Sequence, residues 1–331
     1  MRAKQLMIGG VALIASVGAV ACSYPDPNGD LPCTGCDRPA RPARESDAGE
    51  SSTSPSPTAT SDSGAPATVK CSSAAPFGPA SLVVGIDPNV HASSPHLTPD
   101  ERVVFFTGSD GQTSAIFRAT RAAREMPFGP AEQVPGINSA SNDNDPTVSS
   151  DGLTLVFHSG RDGSNDVWWA KRSDPNAEFG APAPAPGIST PAYEGQGFFH
   201  AATEELWFVS DRDGTYDIFR SKLESGTFGP ATVVAEVSSP QDDFLPFLSA
   251  DGTTIVFSST RDGGKGGQDL YIATRSNQTA AFGPATPLTE LNTEVSEQAG
   301  SLSPDNCRIY FSRHGGPGGQ QLFVAERPLP Q

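Results

Sequence analysis

Large apolar side chains are nearly absent from residues 23–70 and return after Phe77 in short runs at regular intervals. Four of these runs are three residues long: Leu155-Val156-Phe157, Leu206-Trp207-Phe208, Ile255-Val256-Phe257 and Ile309-Tyr310-Phe311. Such a run is too short for a buried helix, and its lack of alternation predicts a strand covered on both faces. Ahead of it lies a turn of the type S-x-D-G, in which Asp supports the bend and Gly takes a conformation that other residues resist. Beyond it comes another strand with an aromatic at one fixed position: Phe117, Trp168, Phe219, Tyr271 and Phe323. A Phe-Gly pair then leads an outer strand, recurring at Phe77, Phe128, Phe179, Phe228 and Phe282 with spacings of 51, 51, 49 and 54. The chain thus repeats a four-stranded unit five times. Sheets covered on both faces by their neighbours are the blades of a β-propeller.

The ends of the repeat complement each other. The first outer strand, near 77–86, precedes any inner set, and the last inner set, 300–327, has no outer strand after it. Pairing the two predicts an all-β, five-bladed propeller of four-stranded antiparallel blades, closed by the N-terminal strand and free of exposed sheet edges. Cys71 lies just ahead of that strand and Cys307 in the last blade, so a Cys71–Cys307 disulfide would lock the ring. In the chain-entropy model so long a loop stabilises by about 5 kcal/mol. The other reading is two unrelated thiols. The S-x-D-G turn, the V-F-x-S strand end, the R-D-G loop and the D-[LIV]-[FYW] strand stand together in 149–166 and 249–269. They resemble the WD-like propeller repeat of TolB-type proteins, and the resemblance covers 77–327. It implies a periplasmic or cell-envelope interaction protein, although propellers as a fold host many activities.

The first 70 residues read as an address and a spacer. Arg2 and Lys4 precede an apolar run over 6–20, the pattern of an export signal over 1–21. Its end, Ala19-Val20-Ala21-Cys22, resembles a lipobox, which implies lipidation at Cys22; Ser23 after it implies the outer membrane. The alternative is an ordinary signal peptide cut after Ala21. Residues 22–70 then form a disordered tether, because eight Pro and thirteen Ser or Thr leave too little apolar surface to offset ordering. Cys33 and Cys36 within it read as a local disulfide, since neither a helix N-terminus for redox chemistry nor nearby His for zinc accompanies them.

Charge narrows the partners. A net charge of −16, of which residues 71–331 carry −15, argues against nucleic acid and leaves the lipid anchor as the membrane contact. Asp143, Glu194, Asp243 and Glu297 share one repeat position at the start of the innermost strand, where blade one has Ala92. On one reading they ring a mouth of the central channel and hold a basic partner group. On the other, they pair with Arg161, Arg212 and Arg261 of the R-D-G loops, as exposed pairs contributing about 0–1 kcal/mol each. Blade five keeps Glu297 but has only a displaced Arg313, so Glu297 is the acid expected to stay free.

Catalysis finds little support. The acids share one repeat position, whereas glycoside hydrolysis needs carboxylates in different environments. His91, His96, His158, His200 and His314 lack metal-ligand spacing, and no nucleophile or phosphate motif is present. Trp169 occupies a column held elsewhere by Arg118 and Arg220, so it is the Trp expected at a surface. The sequence therefore predicts a monomeric, non-catalytic, lipid-anchored envelope propeller. It would need no cofactor or metal and would bind an envelope protein, a basic one being favoured. The second reading is a cell-surface glycan-binding or glycoside-hydrolase-like propeller.

Overall fold

Each three-residue apolar run lies in the second strand of a blade, with a sheet packed against either face. In the computed structural model, which describes residues 71–330 apart from 73, 74, 88, 110–112, 317 and 318, five sheets each order their strands from inner to outer. The signal segment 1–21, Cys22, the tether 22–70 and the Cys33–Cys36 pair lie outside the described residues. The inner strands are His91–Leu97, Asp143–Val148, Glu194–His200, Asp243–Leu248 and Glu297–Leu302. Each contacts the next, and the fifth contacts the first, so the ring closes on itself. Outer strands are only two residues long, such as Glu132–Gln133 and Thr286–Pro287. Blade three adds a short hairpin in which Thr227–Phe228 pairs with its lengthened third strand, Asp217–Glu224.

The core sits between blades. Phe105, Ile116, Val134 and Ile137 of blade one interleave with Val148, Leu155, Phe157 and Trp168 of blade two. Burying each large side chain contributes about 1.5–3 kcal/mol, which is why the second strands carry no polar alternation. The Phe of every Phe-Gly pair is buried, and the N–H of its Gly bonds the end of the third strand, as from Gly129 to Thr120 O at 2.8 Å. Arg121, Arg172, Arg275 and Arg327 stack over four of these rings at 4.0–4.5 Å. Their Nε donates to the carbonyl of the left-handed residue in the S-x-D-G turn, for example Arg172 to Gly152 O at 2.7 Å. The turn itself is held by Ser149 Oγ and Ser249 Oγ donating to Asp151 and Asp251, and Gly152 and Gly252 adopt φ of 73° and 65°.

Closure happens where the two chain ends meet. Ser81 and Leu82 pair with Val324 and Phe323, completing the fifth blade from the N-terminal side. Cys71 and Cys307 are joined by a disulfide across a Cα separation of 5.6 Å. Blade one adds an ionic latch to blade five. Glu101 stands at the turn position held by Gly in blades two and four, at φ 57°. There its buried carboxylate accepts from Arg308 Nη1 at 2.9 Å and Tyr310 Oη at 2.7 Å.

Candidate functional site

The inner strands begin on what we term the upper face, beside the R-D-G loops, and end at the S-x-D-G turns of the lower face. Asp143, Glu194, Asp243 and Glu297 all lie at the upper end, and all four are fully buried. Each accepts from an arginine of its own blade: Arg161 at 2.6 Å, Arg212 at 3.0 Å, Arg261 at 2.6 Å and Arg313 at 2.8 Å. In blades two to four the Arg Nε also bonds the Ser that ends the second strand, and its Nη2 bonds a loop carbonyl, as Arg261 does to Ser259 and Val237. The guanidinium lies over two aromatic rings of the same blade, Phe257 and Tyr271 for Arg261.

Two expectations are corrected here. The acids do not ring an open mouth, because arginine and backbone N–H groups, such as Ser139 N–H on Asp143 at 2.6 Å, enclose them. Nor is Glu297 free. Register sets it directly opposite Arg313, so the displaced arginine reaches it with Nε and reaches Leu291 O with Nη2. Burial also changes the energetics, since breaking a buried pair costs about 3–5 kcal/mol rather than the fraction expected of exposed ones.

The R-D-G triplet divides its labour. Its arginine turns inward to cap the acid, while its aspartate stays exposed as Asp162, Asp213 and Asp262. Glu294 on the loop before Glu297 is exposed as well. Lys265, in the glycine-rich loop of blade four, spends its ammonium on Thr289 O and Asn292 O. The upper face is therefore a carboxylate surface whose nearby cations are engaged internally.

Between these loops the channel shows features that break the repeat. Inner strands of blades one to four carry a bulge with a left-handed residue, Ser94, Asp145, Gln196 and Leu245, each at φ 51°. In a sheet such bulges re-aim side chains. Asp145 is the one carboxylate of the inner strands outside the arginine-capped column. Ser94 Oγ donates to it, His158 Nδ1 lies 3.2 Å away, and its own N–H bonds Thr107 Oγ1 at 2.8 Å. Burial alone would raise its pKa, but His158, Ser94 and Gln196 outweigh that and hold it below the usual carboxylate range. Above it, His158, Tyr193, Tyr216 and Phe244 form a chain of ring contacts at 5.7, 5.4 and 5.4 Å. Tyr193 fits because Gly195 has no side chain; a Cβ there would collide with the phenol. Burial pushes the Tyr193 hydroxyl pKa well up, with the charges of Asp145 and Asp211 adding to it. Tyr193, Tyr216 and Phe244 are half-exposed, and together they form an aromatic sector on one side of the upper mouth.

Sequence reading missed this sector because its members occupy three different repeat positions. Only Tyr193 and Tyr216 carried a signal, each sitting one residue before the strand-initiating acids Glu194 and Asp217. Trp169 is half-buried against Phe199 and Phe228, with Lys171 Nζ 3.8 Å from its ring, so it lies at the outer part of blade two and away from the channel. Among the described residues, no three His, Cys, Asp or Glu side chains converge as metal ligands would.

No protein-family model and no curated protein matches the chain. Among solved structures, TolB from Acinetobacter baumannii is 17% identical with a TM-score of 0.43, over 72% of this chain and 55% of its own. The chain thus spans little more than half of that protein. The catalytic domain of a GH62 α-L-arabinofuranosidase from Coprinopsis cinerea gives a TM-score of 0.54 at 11% identity, over 77% of this chain and 97% of its own. An endo-arabinase from Bacteroides thetaiotaomicron gives 0.52 at 12% identity, over 76% and 99%. At such identities the likeness is one of fold.

Proposed function

We propose that this five-bladed propeller is a non-catalytic, lipid-anchored cell-envelope protein that binds a basic protein partner on its upper face. The observation that carries the reading is the divided R-D-G triplet. Asp162, Asp213 and Asp262 face solvent while the arginine beside each is withdrawn onto a buried acid. An exposed field of one sign steers an oppositely charged partner and sets its on-rate. The half-exposed rings of Tyr193, Tyr216 and Phe244 would supply contact area and faces for arginine or lysine stacking. Export to an oxidising compartment fits both the signal-like N-terminus and the Cys71–Cys307 bridge.

Glycan turnover is the competing reading, favoured by the fold shared with arabinan-active enzymes. Against it stands the state of the carboxylates. Hydrolysis of a glycosidic bond takes two, set roughly 5–10 Å apart around the bond. Here four of the five inner-strand acids are sealed by arginine, and Asp145 alone remains, itself held by neighbours. The test pairs two assays on the full chain. Incubation with arabinan and arabinoxylan should release no reducing sugar, and crosslinking in envelope extract should give adducts that disappear in a triple Asp162→Asn, Asp213→Asn, Asp262→Asn variant. Sugar release abolished by Asp145→Asn would overturn the proposal in favour of the enzyme. Adducts indifferent to the triple variant would reject the upper face as the docking surface.

A further inference from the structure

The lower end of the channel is a pit. Its walls are Leu97, Val148, Phe198, Phe247, Leu248 and Leu302, all from the inner strands, and Ser150, Ala250 and Pro304 stand at its turns. No Lys or Arg lines it among the described residues, and its one carboxylate, Glu101, is occupied by Arg308 and Tyr310. A charged guest would therefore be desolvated without compensation.

One residue of the wall is out of place in so apolar a setting. His96 is only 6% exposed, and its ring lies 5.8 Å from Phe198 and 5.2 Å from Phe247, which are themselves 5.9 Å apart. Three rings thus surround the pit. Val148 N–H donates to His96 Nδ1 at 3.2 Å, so the neutral imidazole carries its proton on Nε2. That N–H opens onto the pit, and the one hydrogen bond of the ring among the described residues is the one to Nδ1. Of the other polar residues at this repeat position, Thr147 Oγ1 donates to Gly197 O, and Ser301 Oγ accepts from Leu97 N–H. A donor that opens onto an apolar pit gains most from a guest bearing an acceptor, and flat rings pack best against edges and faces of other rings.

The geometry points to a ligand site at this lower end for a small uncharged molecule with a flat aromatic body and one acceptor oxygen. Its ring would lie among His96, Phe198 and Phe247, and its oxygen would accept from His96 Nε2–H. The site stands apart from the upper-face reading, sharing none of its residues.

Saturation-transfer NMR on the full chain tests it with three probes of similar size: acetophenone, toluene, which lacks the acceptor, and benzoate, which adds a charge. Acetophenone is expected to bind saturably, and each of the others roughly tenfold more weakly. His96→Phe should weaken acetophenone roughly tenfold while leaving toluene unchanged. Ser150→Trp, at a half-exposed turn position, should exclude both neutral probes while leaving the denaturation midpoint unchanged, which keeps the test valid should His96→Phe fail to fold. Acetophenone that does not saturate at millimolar concentration, that binds no better than toluene, or that ignores Ser150→Trp overturns the assignment.

Discussion

The two ends of the channel are built by the same five inner strands and have opposite characters. At the upper end four blades place an acid at the strand start and seal it with an arginine over two rings, and in blades two to four the seal repeats down to the serine. At the lower end the corresponding column reads His96, Thr147, Phe198, Phe247 and Ser301, and the bonds between neighbouring blades differ at each junction: Val148 N–H to His96, Thr147 Oγ1 to Gly197 O, Leu97 N–H to Ser301. Repetition marks what every blade needs in order to stand beside its neighbour. Departure from repetition marks what one place in the ring does alone. Asp145 with its aromatic sector and His96 with its two phenylalanines are both departures, and both lie on the channel.

The sharpest way to break this contrast is to remove one seal. Arg261→Ala leaves Asp243 buried and unpaired, and denaturant unfolding should show a loss of about 3–5 kcal/mol. Replacing both partners, as in Arg261→Met with Asp243→Leu, should recover most of that loss. A single variant that costs no more than a surface pair would mean that the upper acids are as open as the lower pit.

Ring closure comes next in size. The bridge spans a sequence separation of 236, and replacing both Cys71 and Cys307 with Ser should cost about 2–5 kcal/mol, read as a lowered denaturation midpoint.

The lower end should reveal itself through pH. Burial drops the His96 pKa from 6.5 to about 3. The unfolded chain takes up the proton below pH 6.5 while the folded one does not, so stability is lost on acidification from 6.5 downward until the folded value is reached. Between pH 7 and 5 the wild type should lose about 2 kcal/mol more than His96→Phe. Equal losses would place His96 in contact with water and erase the pit. The smallest effect is expected at the half-exposed aromatic sector. Tyr216→Ala removes ring contacts to Tyr193 and Phe244, so it should cost about 1 kcal/mol of stability and act chiefly on partner capture.

How much of this could be read before folding differs between the two ends. The arginine–acid partners were visible as co-occurrence, since blades two to four have both and blade one has neither. What co-occurrence could not show was burial. Arg161 and its equivalents cover the acids because the rings beneath them hold each guanidinium flat, and that depends on the register of the second and third strands, which sets the two rings side by side. The same limit explains Glu297. Its arginine looked displaced because it stands two residues earlier in the repeat than Arg161, but it occupies the column held by Ser159 in blade two, which the register places directly opposite the acid.

Sequence by itself determined the five units, their four strands and the closure by the N-terminal segment. Those features follow from periodic burial and turn chemistry, which act over a few residues and repeat. Only the tertiary structure decided which charges face water and which rings meet at the channel. A residue's solvent exposure and its companions are properties of the closed ring, in which each inner strand is flanked by those of two other blades, distant in the chain and most distant where the fifth meets the first.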